Sequence, residues 1–100
     1  MLKMKLIKRD SGGELLMDGR LDNKSAPDAE KILVDVANRC DDLTLNMENL
    51  EYVSSAGLRS LRMAVITMRN KGGTIVASHV SDTIRDVFKI TGFLAMIKIV

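Results

Sequence analysis

The chain has 100 residues, 46% of them hydrophobic, and a formal net charge of +2. A chain of this length can bury one hydrophobic core, so a single domain over residues 1–100 is expected. The small net charge argues against nucleic acid or a membrane surface as the main partner. A lone cysteine, Cys40, excludes a disulfide framework and fits a reducing compartment, so a cytoplasmic location is predicted.

The N-terminal segment alternates apolar and charged side chains from Met1 to Lys5, where a secretory signal would need an unbroken apolar run. No segment approaches the length of a membrane-spanning helix. The alternation predicts a first strand, and Asp10–Gly13 is a turn signal. A second short strand over Glu14–Asp18 is expected to pair antiparallel with the first, because the connection is tight.

A first helix is predicted to begin near Ser25. The Ser25 side chain can cap the free amides of the first turn, with Asp28 completing a capping-box-like pattern, and Pro27 is tolerated there. Apolar side chains then recur at helical spacing, at Ala29, Ile32, Leu33, Val36 and Ala37. Asp41 and Asp42 break this pattern, so the helix is expected to end before them.

A third strand and a second helix follow. Leu43, Leu45 and Met47 alternate with polar residues, which predicts a strand with one buried face. The second helix is predicted from about Ala56 to Asn70, with an apolar stripe on Leu58, Leu61, Val65 and Met68. The run Lys71-Gly72-Gly73 is expected to end it, because glycine adopts the left-handed conformation at helix ends.

The last third of the chain predicts two further strands around a short helix. Thr74–Ser78 is mostly apolar and β-branched, which indicates an inner strand covered on at least part of both faces. Ser81 and Asp82 begin a helix carrying Ile84, Val87 and Phe88, with Gly92 beyond its end, and Ala95–Val100 is the last strand. The order β-β-α-β-α-β-α-β predicts a single-domain α/β fold, with helices packed on a mixed, mostly parallel sheet.

No residue pattern predicts catalysis. The only histidine is His79, and the serines lack the Gly-x-Ser-x-Gly elbow of serine hydrolases, so a surface position is the simpler interpretation of His79. No Cys/His/Asp cluster has metal-ligand spacing, and Cys40 is expected to be a small buried hydrophobic residue. Phosphate-binding and dinucleotide-binding glycine motifs are also missing. We therefore predict no enzyme activity, no cofactor and no metal.

The segment Leu50–Arg59 contains the most distinctive residues of the chain. Ser54 and Ser55 lie where the loop after the third strand enters the second helix, at an end of the sheet that often binds ligands and partners. From the residues alone, a helix cap and a functional hydroxyl are about equally supported. Gly57 lowers helix stability at this position and lets another backbone or a phosphate approach closely, which favours a function.

Motifs along nearly the whole chain resemble the STAS domain family, and within it the bacterial anti-sigma factor antagonists. Gly19-Arg20-Leu21-Asp22 with Ser25-Ala26-Pro27 resembles the segment that enters the family's first helix. Ser54-Ser55-Ala56-Gly57-Leu58 resembles the family's Asp-Ser-Ser/Ala-Gly-Leu switch. Further similarity lies in Leu45-Asn46-Met47 with Leu50, Tyr52 and Val53, in Gly72-Gly73, and in Val87-Phe88 with Thr91-Gly92-Phe93.

The resemblance implies a STAS-like fold and a phosphorylation-controlled binding protein. In this family the unphosphorylated antagonist binds an anti-sigma factor that is also its serine kinase, and so frees a sigma factor. Phosphorylation of the serine that matches Ser55 switches the antagonist off, and a separate phosphatase restores it. Neither direct nucleic-acid binding nor membrane insertion is implied. The matching partner-binding residues are Asp22, Ser54, Ser55, Ala56, Gly57, Leu58 and Arg59.

Two departures from the family pattern affect these expectations. Ser54 stands where the family often has Asp, so Ser54 is a second candidate phosphorylation site, or its lack of charge alters recognition by the kinase. Many relatives continue into another helix after the last strand, so part of the usual partner surface or helix cover is expected to be missing here.

Two other functions compete with the switch. One is a constitutive STAS scaffold subunit of a transporter or signalling complex, which needs no phosphorylation. The other is an enzyme with Ser55 as nucleophile, which ranks last because the sequence places no base beside it.

Overall fold

The computed structural model describes residues 1–100 as a five-stranded mixed sheet with three α-helices. The strands are β1 (Leu2–Arg9), β2 (Gly12–Leu21), β3 (Asp42–Val53), β4 (Thr74–Ser78) and β5 (Lys98–Ile99), and they lie in the sheet in this order. The helices are α1 (Ala26–Arg39), α2 (Ser55–Asn70) and α3 (Asp82–Thr91). The predicted α/β class and order of elements are confirmed.

The connections bring all three helix starts to one edge of the sheet. β1 and β2 are antiparallel, and they are joined by a tight turn at Asp10, whose φ is 34°. The other neighbouring strands are parallel, and each pair is joined through one helix, because a parallel connection must carry the chain back along the sheet. The carboxyl ends of β2, β3 and β4 therefore share the edge at which α1, α2 and α3 begin.

The hydrophobic core lies between the helices and one face of the sheet. Leu15, Leu45 and Ala77 are neighbours across β2, β3 and β4, and all three are buried. They pack in one cluster with the helix residues Leu33, Leu61, Ala64, Val65, Met68, Ile84 and Phe88. The alternation predicted for the third strand is confirmed, because Asn46 points to the opposite face and donates to Glu14 Oε2 at 2.8 Å.

Three predicted strands have different bounds in the structure. The loop expected after the third strand is absent, because β3 pairs with β2 as far as Val53 and α2 begins two residues later. β2 extends over Gly12–Leu21 rather than Glu14–Asp18, because β1 and β3 supply hydrogen-bond partners on both sides along most of its length. β5 is shorter than predicted, since Phe93–Ala95 forms a 3₁₀ turn. In that turn, Phe93 packs edge-to-face on Phe88 with ring centroids 4.9 Å apart.

The helices largely follow their predicted apolar stripes. All four stripe residues of α2 are buried, and Gly72 beyond its end has a left-handed φ of +77°. On α1, however, Ile32 is 43% exposed, because it lies at the margin of the buried stripe. The predicted cap at Ser25 is wrong: its backbone is already helical, and its Oγ donates to Arg20 O at 2.8 Å instead of capping α1.

Candidate functional site

The ends of β2 and β3 place the predicted site residues side by side. Leu21 and Val53 are paired at the end of the two parallel strands. Immediately beyond this pair, the amide of Ser54 donates to the carbonyl oxygen of Leu21 at 2.9 Å. Asp22, which begins the β2–α1 loop, therefore lies beside the junction at Ser54 where β3 passes directly into α2, and the structure brings together the two segments that the sequence analysis had singled out separately.

Ser54 is the N-cap of α2. Its backbone is extended, with φ −87° and ψ 175°, and its Oγ accepts a hydrogen bond from the amide of Gly57 at 3.1 Å. Its carbonyl oxygen accepts the next bond, from the amide of Leu58 at 2.8 Å. The hydroxyl of Ser54 is thus engaged in starting the helix, and the cap interpretation left open by the sequence applies to this serine.

Ser55 is the first residue of α2, and its side chain has a different environment. It is exposed, and its hydroxyl makes no hydrogen bond within the chain. No side chain is therefore positioned to take its proton, although the hydroxyl is accessible from outside. The two adjacent serines divide into one structural hydroxyl and one accessible hydroxyl.

Gly57 is required by the packing of α2 on the end of β2. A Cβ placed on Gly57 would lie 2.5 Å from Leu21 O and 2.7 Å from Leu21 Cγ. The expectation that this glycine admits a close backbone is met by Leu21 of the same chain, so Gly57 by itself does not indicate a ligand. Gly57 and Leu58 are buried, and they shape the surface from beneath.

Asp22 organises the loop between β2 and α1. Its Oδ1 accepts from the amides of Lys24 and Ser25, both at 3.0 Å, and from the Ser25 hydroxyl at 3.2 Å. The amide of Ser25 is the largest cause of a lowered Asp22 pKa, and it outweighs the opposing effect of burial. The half-buried carboxylate thus organises the entry into α1, where the sequence analysis had expected a side-chain cap from Ser25. It borders a hollow shared with Met1 and Ile32, which no residue of α2 lines.

A cleft opens beside Ser55, between α2 and the segment that follows α3. Its volume is about 380 Å³, and we call it the Ser55 cleft. It contains no acidic residue, and two arginines four and seven positions after Ser55 lie in its wall. The lining residues are Ser55, Leu58, Arg59, Arg62, Thr91, Gly92, Phe93 and Met96. Sequence reasoning included Arg59 but missed Arg62, although its helical spacing from Ser55 was visible.

A second hollow, of about 370 Å³, lies on the other side of the α2 start. Ala56 and Arg59 line it together with residues of the α1 start, namely Asn23, Ala26, Pro27, Glu30 and Lys31. Arg59 therefore borders both hollows. Ala56 and Arg59 thus share this surface with Asn23 of the β2–α1 loop and with the α1 start.

The remaining candidates for chemistry lie apart from this surface. His79 is exposed at the end of β4, with a φ of 55°, and its Nδ1 lies 3.3 Å from Ser78 Oγ. Cys40 is fully buried with a free thiol, as the sequence predicted. None of the helices combines the length and apolar character needed to cross a membrane.

The geometry describes a small α/β domain with an accessible serine at a helix start, beside an arginine-lined cleft. The family model of the STAS domain matches residues 5–100. The chain belongs to the STAS domain family. The resemblance read from the sequence motifs is thereby confirmed at the level of the family.

Comparison with individual proteins places the chain near anti-sigma factor antagonists. It is 30% identical over 76 residues to BtrV of Bordetella bronchiseptica, assigned as an anti-sigma factor antagonist, and the match covers 72% of this chain and 66% of BtrV, just under two thirds. An anti-sigma factor antagonist from Mycobacterium paratuberculosis has the same fold, with a TM-score of 0.84, 18% identity and coverage of 99% and 85% of the two chains.

Two further structures share the fold. The phosphorylated form of SpoIIAA, a Bacillus cell fate determinant, has a TM-score of 0.73 at 16% identity, with coverage of 100% of this chain and 91% of SpoIIAA. A sulfate transporter family protein from Wolinella succinogenes has a TM-score of 0.75 at 16% identity, with coverage of 89% and 73%. At these identities the comparison concerns the fold alone.

Proposed function

We propose that this protein is an anti-sigma factor antagonist of the cytoplasm. In its unphosphorylated state it binds an anti-sigma factor that is also a serine kinase, and so frees a sigma factor. Phosphorylation of Ser55 ends this binding, and a phosphatase restores it. The observation that carries the proposal is the exposed, unbonded Ser55 hydroxyl beside Ser54, which caps the helix.

The switch needs little chemistry from this chain. The kinase transfers the terminal phosphoryl group of ATP to Ser55 Oγ: a P–O bond to Oγ forms, the bond to ADP breaks, and the kinase takes the hydroxyl proton. Because Ser54 holds the cap bond, modification of Ser55 leaves the start of α2 intact. The phosphate adds about 1.5 to 2 negative charges, which a helix start tolerates. Ser54 remains the second candidate site, and its modification would break the cap.

The partner surface consists of the α2 start and the β2–α1 loop. Ser55, Ala56 and Arg59 line its hollows, Asp22 and Ser54 follow the adjoining strand ends, and Gly57 and Leu58 support them from beneath. A partner fitted to the unmodified serine offers no counter-charge of its own to a Ser55 phosphate, so binding would take that charge out of water. Burying an unpaired charge costs several kcal/mol, and every 1.4 kcal/mol changes affinity about tenfold. Loss of partner binding on phosphorylation then requires no refolding of the domain. The proposed function also involves neither direct binding of nucleic acid nor membrane insertion.

The test is a pull-down from the native cell extract with wild-type, Ser55→Ala and Ser55→Asp proteins, identified by mass spectrometry. We expect wild-type and Ser55→Ala to capture an anti-sigma factor kinase and Ser55→Asp to lose it. Ser54→Asp is the matched control, since aspartate can replace the cap while placing a charge one residue away. Equal loss with both aspartates would show that charge on this surface, rather than Ser55 itself, controls binding.

A second candidate is a constitutive scaffold subunit of a transporter or signalling complex. It is favoured by the shared fold with the Wolinella succinogenes sulfate transporter family protein. This function requires no change at Ser55. If all of the pulled-down samples contain the same transporter or scaffold proteins, the scaffold function replaces the switch.

A further inference from the structure

The Ser55 cleft contains two arginines whose charges are unused within the chain. The ion pairs of the protein join Arg9 to Glu14 and Arg39 to Asp35, and neither involves Arg59 or Arg62. Both arginines are exposed, and the cleft has no Asp or Glu among its lining residues. The first turn of α2 also lacks an acidic residue. The cleft is therefore an electropositive surface without an internal counter-charge.

Helix geometry directs these two side chains towards Ser55. Positions four and seven residues apart lie on one face of a helix, so Arg59 and Arg62 follow Ser55 along the same stripe. At 1.5 Å per residue, their Cα atoms lie about 6 and 10.5 Å further along the axis. Long side chains on a helix tend to point back towards its N-terminus, so both guanidinium groups can reach towards the serine. All three residues line the same cleft.

We propose that, once Ser55 is phosphorylated, Arg59 and Arg62 of the same chain capture the phosphate in the Ser55 cleft. This inference rests on the proposed function and specifies its off state. The guanidinium group presents planar donors that match phosphate oxygens and form short, charge-assisted hydrogen bonds. The modified protein is then switched off by an occupied cleft, in which a partner loses access to both arginines.

The capture predicts that Arg59 and Arg62 have two roles. In the unmodified protein they are free to meet acidic groups of a partner, and after modification they are neutralised from within. Glu30, which lines the neighbouring hollow with Arg59, forms no ion pair with it and therefore does not compete in the unmodified state. A phosphoserine held in this way is also partly shielded from the phosphatase that must remove it.

The test places phosphoserine at position 55 by genetic encoding, which requires no cellular kinase, and follows the phosphate by ³¹P NMR during a pH titration. The second pKa of a free phosphoserine is about 6. We expect wild-type protein to titrate lower than the Arg59→Gln/Arg62→Gln variant by about half a unit or more, because two cations stabilise the dianion. Arg85→Gln is the matched control, since Arg85 is exposed on α3 and does not line the cleft.

Equal titration of wild-type protein and the double variant would overturn the capture, since the helix start alone would then explain any lowered value. If Arg85→Gln raised the phosphate pKa as much as the double variant does, the capture would also be overturned, because the change in net charge would be the cause. The single variants give the same comparison if the double variant loses stability. This measurement is independent of the pull-down. A difference in phosphate pKa without capture of a kinase in the pull-down supports the phosphate capture and rejects the proposed function. Capture of the kinase without a difference in phosphate pKa supports the proposed function and rejects the phosphate capture.

Discussion

The amide of Ser54 donates to the carbonyl oxygen of Leu21 at 2.9 Å, and this bond joins the end of β2 to the start of α2. It fixes where the helix begins, because Ser54 becomes the last extended residue and Ser55 the first helical one. The position of the accessible hydroxyl thus depends on a contact between segments more than thirty residues apart. Changes near Leu21 should therefore affect the site as well as changes in α2.

Gly57→Ala is expected to destabilise the domain, because its Cβ would meet the Leu21 carbonyl oxygen at 2.5 Å. Overpacking of this kind costs about 1–3 kcal/mol of unfolding free energy, more than the roughly 1 kcal/mol that alanine gains over glycine in a helix. Thermal and urea unfolding measure the difference. Ser55→Ala in the same turn is the control and should change stability little. Unchanged stability of Gly57→Ala would show that α2 can shift away from β2.

Ser54→Ala and Ser55→Ala are expected to separate the two serines. Ser54→Ala removes the acceptor of the Gly57 amide and should lower the unfolding free energy by about 1 kcal/mol. Ser55→Ala removes an exposed, unbonded hydroxyl and should stay within about 0.5 kcal/mol of wild type. Urea denaturation of both variants tests this. A larger loss from Ser55→Ala would mean that Ser55 is the structural residue.

Much of the fold could be predicted because local patterns and tertiary packing agree. The buried stripe of α2, including Leu61 and Met68, follows directly from its helical spacing. Ile32 shows where this fails, since its exposure depends on which neighbouring element covers the margin of α1. A periodic pattern identifies the apolar face of a helix, but it does not show which residues at the margin of that face a neighbouring element buries.

The candidate site was predictable only where its residues are neighbours in the sequence. Ser54 and Ser55 were found because their motif is continuous in sequence. The Ser55 cleft was not, because Thr91 and Met96 reach it only when the end of α3 packs beside α2. The assignment of the first cap to Ser25 failed because Asp22 forms the turn through two backbone amides, a loop geometry that the residue spacing does not specify.

Asp22 should make stability depend on pH in the acid range. Hydrogen bonds from the Ser25 and Lys24 amides lower its pKa in the folded state. Because the folded pKa lies below the unfolded value of about 3.9, the stabilisation is fully present above that value and is lost as the pH falls through the folded pKa. Asp22→Asn retains an oxygen acceptor but not the charge, so its stability deficit against wild type should shrink on going from pH 7 to pH 3. Urea midpoints at both pH values measure this, and a constant deficit would contradict it.

Lys71 is expected to stabilise the domain by capping the end of α1, although the sequence indicated only the end of α2. Its Nζ donates to the carbonyl oxygens of Ala37, Asn38 and Cys40 at 3.0, 3.1 and 2.8 Å. These carbonyls have no helical partners, and a cation at a helix C-terminus is favourable, so Lys71→Met should lower the unfolding free energy by about 1–2 kcal/mol. For a domain of this size, each kcal/mol corresponds to about 4–8 °C in Tm.

Lys31→Met, which changes an exposed lysine on α1 without a hydrogen bond, is the matched control and should leave Tm nearly unchanged. If both variants lose the same stability, the loss reflects net charge, and the three hydrogen bonds contribute nothing of their own.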